Sequence, residues 1–149
     1  MGRIVGGVVA GYVAMFALLF IVFSAAYFAL GANGAFQPGS WNPSGGWIAL
    51  TIVLGFGAAI AGGYLCATIA RDRRGPLGLV GLVIVLGVLS AFPAVTGADP
   101  AAAGPRPETV AMFEAMSNAV QPVWVALLNP VLGAVGVLVG ARIRGTRAG

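Results

Sequence analysis

The sequence predicts an all-α integral membrane protein. Four transmembrane helices form a small bundle with both termini cytoplasmic, and a short amphipathic helix lies on the outer face before the fourth span. Three observations carry this expectation. Hydrophobic residues make up 59% of the chain and charged residues only 8%, against about 25% charged in an ordinary soluble domain. Mean hydropathy is +0.97. The apolar residues also fall into four runs, each close to or above the roughly 20 helical residues that cross a bilayer core. All four belong to one transmembrane domain covering 1–149.

The first span is predicted over 4–30. It carries no charge and exceeds one crossing, so it should tilt or extend into the interface. A secretory leader has an apolar core of only about 7–15 residues. The run is therefore read as a retained helix, despite small residues at Ala29, Ala32 and Ala35. The connection from Gly31 to Gly46 is uncharged and holds Asn33-Gly34, Pro38-Gly39, Asn42-Pro43 and Gly45-Gly46, all turn signals. Trp41 and Trp47 suit the headgroup level, where amphipathic rings concentrate.

The second span is predicted over 47–70. It is followed by a short basic loop, Arg71-Asp72-Arg73-Arg74-Gly75. The third covers 77–95, with Pro76 at the first helical position, where its missing N–H costs nothing, and Pro93 near the end. The stretch from Gly97 to Pro107 is rich in Ala, Pro and Gly and reads as extended. From 108 to 121 the pattern is helical and two-faced. Glu114, Ser117, Asn118 and Gln121 share one side, and Met112, Phe113, Met116 and Val120 lie opposite. Pro107 and Pro122 bound this outer helix. The fourth span covers 122–143.

Orientation follows from the arginines. Arg3, Arg71, Arg73, Arg74, Arg142, Arg144 and Arg147 fall at the two termini and in the second connection, which four spans place on one side. Arg106 alone faces the other side, together with Asp99, Glu108 and Glu114. The positive-inside rule then makes both termini cytoplasmic. Abundant Gly, Ala, Val and Arg without lysine points to a bacterium of high genomic GC, and hence to a multi-pass protein of the bacterial cytoplasmic membrane. A faint parallel repeat relates 57–75 to 133–145, although Gly/Ala-rich sequence produces such matches by chance.

Missing residues exclude much chemistry. There is no His and no Lys, which removes histidine-ligated metals and haem, Ser-His hydrolysis and P-loop nucleotide hydrolysis. Cys66 is the only cysteine, so no intrachain disulfide forms. The first span has no embedded glutamate of the kind that proton-coupled small multidrug exporters use. The expectation is therefore no enzyme, no cofactor and no metal. The net charge of +4 comes from arginines flanking apolar runs; this suits anionic lipid headgroups, contacted by Arg71, Arg73, Arg74, Arg142 and Arg144, and not nucleic acid.

Small residues four apart share a helix face and let backbones approach closely. Gly7 and Gly11, then Gly55, Ala59 and Gly63 with Ala67, then Gly136 and Gly140 are the expected helix-packing positions. Ser24, Thr51, Thr68 and Ser90 can bond to the preceding turn. Two polar residues stand out. Asn129 precedes Pro130 within the fourth span, where its amide can repair the kink, bond to another helix or line a polar site. Glu114 is the only acid close to a span. The reading that fits best is a non-catalytic accessory or structural subunit of a larger membrane complex, respiratory or photosynthetic complexes being plausible hosts. The alternative is a small homo-oligomeric channel or carrier with a polar site near Asn129.

Overall fold

A computed structural model describes residues 1–97 and 105–146; Asp99 and Arg147 lie outside the described residues. The described chain is helical: α1 (Gly2–Ala35), α2 (Gly45–Ala70), α3 (Arg74–Thr96), α4 (Met112–Asn118) and α5 (Val123–Thr146). Four of these, all but α4, are long and apolar enough to cross a membrane. Most large apolar side chains on them point away from the protein: Phe16, Ile21, Val53 and Leu89 are all exposed. In water such a surface would be untenable. In lipid it is the expected solvent-facing side, and the chain has the make-up of a multi-pass membrane protein.

Helix ends are set by local chemistry. α1 has 34 residues, which rise about 51 Å at 1.5 Å each. Its last turn is broken off at Gly31, whose φ of 66° only glycine adopts readily. Residues 32–35 are helical again, so Asn33-Gly34 is not the turn that the sequence suggests. Ser44 caps α2: its hydroxyl accepts from the Trp47 N–H at 3.1 Å and donates to the Gly34 carbonyl at 2.6 Å. α2 ends at Arg71, which adopts the left-handed conformation (φ 51°, ψ 25°). The Asp72 carboxylate accepts from the Arg74 N–H at 2.8 Å. α3 therefore starts three residues earlier than Leu77, and Pro76 sits in its first turn and not at its first position.

The packing is antiparallel between α1 and α2, parallel between α2 and α5, and antiparallel between α5 and α3. Gly7 meets Cys66 and Ala70; Gly11 meets Gly62; Gly136 and Gly140 meet Ala59 and Ile60; Gly133 meets Val83, and Gly87 meets Pro130. Leu79, Val137 and Cys66 are the largest fully enclosed side chains of the interior. Glycine and alanine replace large residues at these crossings, so the chain is held mainly by close backbone contact. The start of α1, the ends of α2 and α5 and the start of α3 thus lie together at one end of the molecule, the arginine end.

The opposite end is built from connections. Phe36 and Pro43 form an isolated antiparallel bridge. Tyr27, Ala32, Ala35, Phe36, Trp41 and Ala115 form a second apolar cluster, with Trp47, Val110, Met112 and Val120 against it. Here the expected outer helix is corrected. It covers Met112–Asn118, half of the predicted length. The flanks are extended because their backbone groups are used across the chain: the Val110 carbonyl accepts from the Tyr27 hydroxyl at 2.8 Å, and the Val120 N–H donates to the Trp41 carbonyl at 3.2 Å. Trp41 is likewise not a free headgroup anchor. It is buried in this cluster, with its ring edge-on to Phe36.

Candidate functional site

The helix-packing residues divide. A methyl group at Gly7 would come 2.9 Å from the Ala70 methyl carbon and from the Cys66 carbonyl oxygen. One at Gly11 would come 2.8 Å from the Gly62 carbonyl oxygen. Gly63 lies against the Val137 backbone, Gly140 against that of Ile60, and Gly136 against Ala59, which is fully buried. Gly55 touches nothing: a methyl group there meets open space. Gly62, not singled out in the sequence, packs against both Met15 and the Gly11 backbone.

At the arginine end α2 and α5 bring Arg71, Arg73, Arg142 and Arg144 around one groove of about 800 Å³. Arg74 does not line it. Its floor is apolar, made by Ala67, Pro76, Leu77, Leu138 and Ala141. Among the described residues Asp72 is its only acid, and that carboxylate is turned onto the Arg74 N–H. Among the described residues none of the four guanidinium groups has an ion-pair partner. The groove therefore combines a net positive charge with exposed Leu77 and Leu138 in one lining.

At the other end Arg106 is 6% exposed. Its guanidinium donates to the Asn33 side-chain oxygen at 2.8 Å, the Pro107 carbonyl at 2.7 Å and the Ser40 carbonyl at 3.2 Å. It also lies 5.7 Å from the Phe36 ring centre, within cation–π range. A buried charge without a carboxylate is tolerable only when such donors are all used. Arg106 thereby ties the 36–43 turn to the strand-like stretch leading to α4. Sequence reasoning missed this role. The flanking prolines Pro105 and Pro107 were the available signal, but the acceptors are backbone carbonyls that any residue supplies.

The two residues expected at a polar site are not brought together. Asn129 is exposed on α5 and, among the described residues, makes no hydrogen bond that would repair the helix at Pro130; that ring packs against Gly87 of α3. Glu114 is exposed on α4, where its backbone carbonyl accepts from Ser117 and Asn118. Ser24, Thr51, Thr68 and Ser90 each donate to a carbonyl three or four residues back, which accounts for them locally. Around α4, Phe113 (74% exposed), Met116 (61%) and Trp124 at the start of α5 (56%) project outward from an otherwise well-tied platform. Among the described residues no cluster of His, Cys, Asp or Glu is arranged to hold a metal. No protein-family model matches the chain, and no curated protein and no solved structure matches it either.

Proposed function

We propose that this is a non-catalytic membrane protein that packs against a larger membrane complex as an accessory or structural subunit. In this reading the four spans form a small bundle in a bacterial cytoplasmic membrane. Both termini and the arginine end are cytoplasmic, among anionic headgroups. The observation that supports it best is the loop-end platform. Arg106, Tyr27 and Trp41 hold irregular backbone in one arrangement, and that arrangement displays Phe113, Met116 and Trp124 unpaired. Ordering a segment costs about 1–2 kcal/mol per residue. A surface ordered in this way, with apolar anchors on it, suits recognition by a partner. All the packing glycines except Gly55 are used in contacts within the chain, so the outward anchors, not the small-residue faces, are the association surface.

The test is co-purification. A tagged copy extracted in mild detergent is expected to bring down one larger membrane assembly in fixed proportion. The double substitution Phe113→Asp with Met116→Asp should abolish this without shifting thermal unfolding. Gene deletion should lower the yield of that assembly and leave its chemistry intact. The exposed Asn129 supports a second reading, since asparagine in lipid gains by bonding to another helix. A chain found only as a homo-oligomer, with conduction lost in a folded Asn129→Leu variant, favours the channel or carrier over the accessory role.

A further inference from the structure

We propose that the groove at the arginine end is a specific site for one phospholipid carrying two phosphates, of the cardiolipin type. The inference rests on the reading that the helices cross a bilayer, and not on the accessory role. Three observations converge. The groove takes arginines from two helices that are far apart in sequence, Arg71 and Arg73 after α2 and Arg142 and Arg144 at the end of α5. Among the described residues these four share the groove with a single acid, Asp72, whose carboxylate is held by the Arg74 N–H. The groove is also continuous with lipid-facing side chains, because Leu77 (59% exposed) and Leu138 (46%) form part of its wall.

The chemistry of the occupant follows. Planar guanidinium groups bind phosphate through paired N–H donors, so arginine is suited to phosphate oxygens where lysine acts only as a point charge. Four arginines against one aspartate leave three positive charges. One phosphodiester would leave two of them unmatched, whereas two phosphodiesters on one headgroup leave a single charge for water. The volume, about 800 Å³, exceeds what one phosphate fills, within the roughly 300–1,000 Å³ of small-molecule sites. The carbonyl ends of α2 and α5 point the same way and disfavour an anion, but each amounts to only about half a charge. The apolar floor distinguishes a lipid from a soluble phosphate: acyl chains leaving the headgroup run down over Leu77 and Leu138, where a nucleotide or inorganic anion has nothing to offer. Arg71 also holds its place in a left-handed conformation, where glycine would be at ease.

The full chain, purified in a neutral detergent, is titrated separately with cardiolipin, phosphatidylglycerol, phosphatidylcholine and sodium pyrophosphate. Native mass spectrometry counts bound molecules, and thermal unfolding reads stabilisation. One cardiolipin per chain is expected, bound at least about tenfold more tightly than phosphatidylglycerol, with no stabilisation by phosphatidylcholine or pyrophosphate. Arg142→Gln with Arg144→Gln should weaken cardiolipin binding about tenfold or more. Arg71→Gly should also weaken it while keeping or raising the unfolding temperature, because glycine suits that backbone; it therefore tests the charge independently of folding. Equal binding of phosphatidylglycerol would overturn the two-phosphate assignment. Equal protection by pyrophosphate would make the groove a soluble-anion site, and unchanged binding by folded Arg71→Gly would overturn the site itself. A protein that retains cardiolipin yet purifies without any partner would defeat the accessory role and leave this site standing.

Discussion

Gly55 and Gly63 sit in the same four-residue series, yet only Gly63 is pressed against another helix. At 3.6 residues per turn, each four-residue step drifts about 40° around the axis. Two steps turn the series through about 80°, enough to carry Gly55 off the face that meets α5. The regular spacing that draws attention to this stripe in the sequence is therefore also why it cannot all be buried in one straight contact. The difference is measurable with the smallest substitution. Gly63→Ala places a carbon on the Val137 backbone, which cannot retreat as a flexible side chain would, and is expected to destabilise by about 1–3 kcal/mol. Gly55→Ala enters open space, removes a flexible glycine from a helix and should be neutral or stabilising by up to about 1 kcal/mol. Thermal unfolding of the two variants in the same detergent checks this. Equal loss of stability in both would mean that Gly55 is covered by something outside the chain.

At the scale of elements, the loop-end platform shows how one side chain substitutes for regular structure. The turn at 36–43 and the stretch before α4 have few helical hydrogen bonds of their own, so their carbonyls need donors from elsewhere. Arg106 supplies several at once, and Tyr27 and the Val120 N–H supply others. The Trp41 ring nitrogen is the exception, buried without a partner among the described residues, at a cost of about 1–3 kcal/mol. Removing Arg106 orphans acceptors in two connections together. Arg106→Ala is expected to loosen the platform by roughly 2–3 kcal/mol and to leave the α2–α5 crossing intact, because Ala59 and Val137 belong to a separate apolar cluster. Hydrogen exchange should show this as a local event: faster exchange at the amides of Phe36, Ala115 and Val120, unchanged exchange at Cys66 and Leu79. Simultaneous loss of protection at both sets would show that the two clusters unfold as one.

For the molecule as a whole, what the sequence made legible was decided by the solvent. Long uncharged runs have few options in a bilayer, because every backbone group must be satisfied within the segment, so the four long helices and their order were readable from apolar length. The ends were not. They depend on single hydrogen bonds such as Ser44 to Trp47 or Asp72 to Arg74, and several residues near each could have served. The platform was least legible, since its acceptors are backbone atoms and Arg106 reaches across 66 and 73 positions to Ser40 and Asn33. The arginine groove was half legible: composition marked the residues as headgroup contacts, but only packing brings the ends of α2 and α5 together. That packing also gives the orientation argument its strongest form. Arg71, Arg73, Arg142 and Arg144 meet at one end, while the single arginine of the other end is withdrawn from its surroundings into a cage of carbonyls. Folded, the two ends therefore differ in exposed charge even more than the residue counts indicate. By the positive-inside rule the proposed orientation puts the arginine end on the cytoplasmic side, which labelling tests. In a Cys66→Ala background, Gln37→Cys should react with a membrane-impermeant thiol reagent added to intact cells, and Gly145→Cys only once the membrane is opened or inverted. Both positions are exposed in the fold, so a failure to react reports the membrane and not burial. Labelling of Gly145→Cys from outside, with Gln37→Cys protected, would reverse the orientation and place the arginine groove in the opposite leaflet.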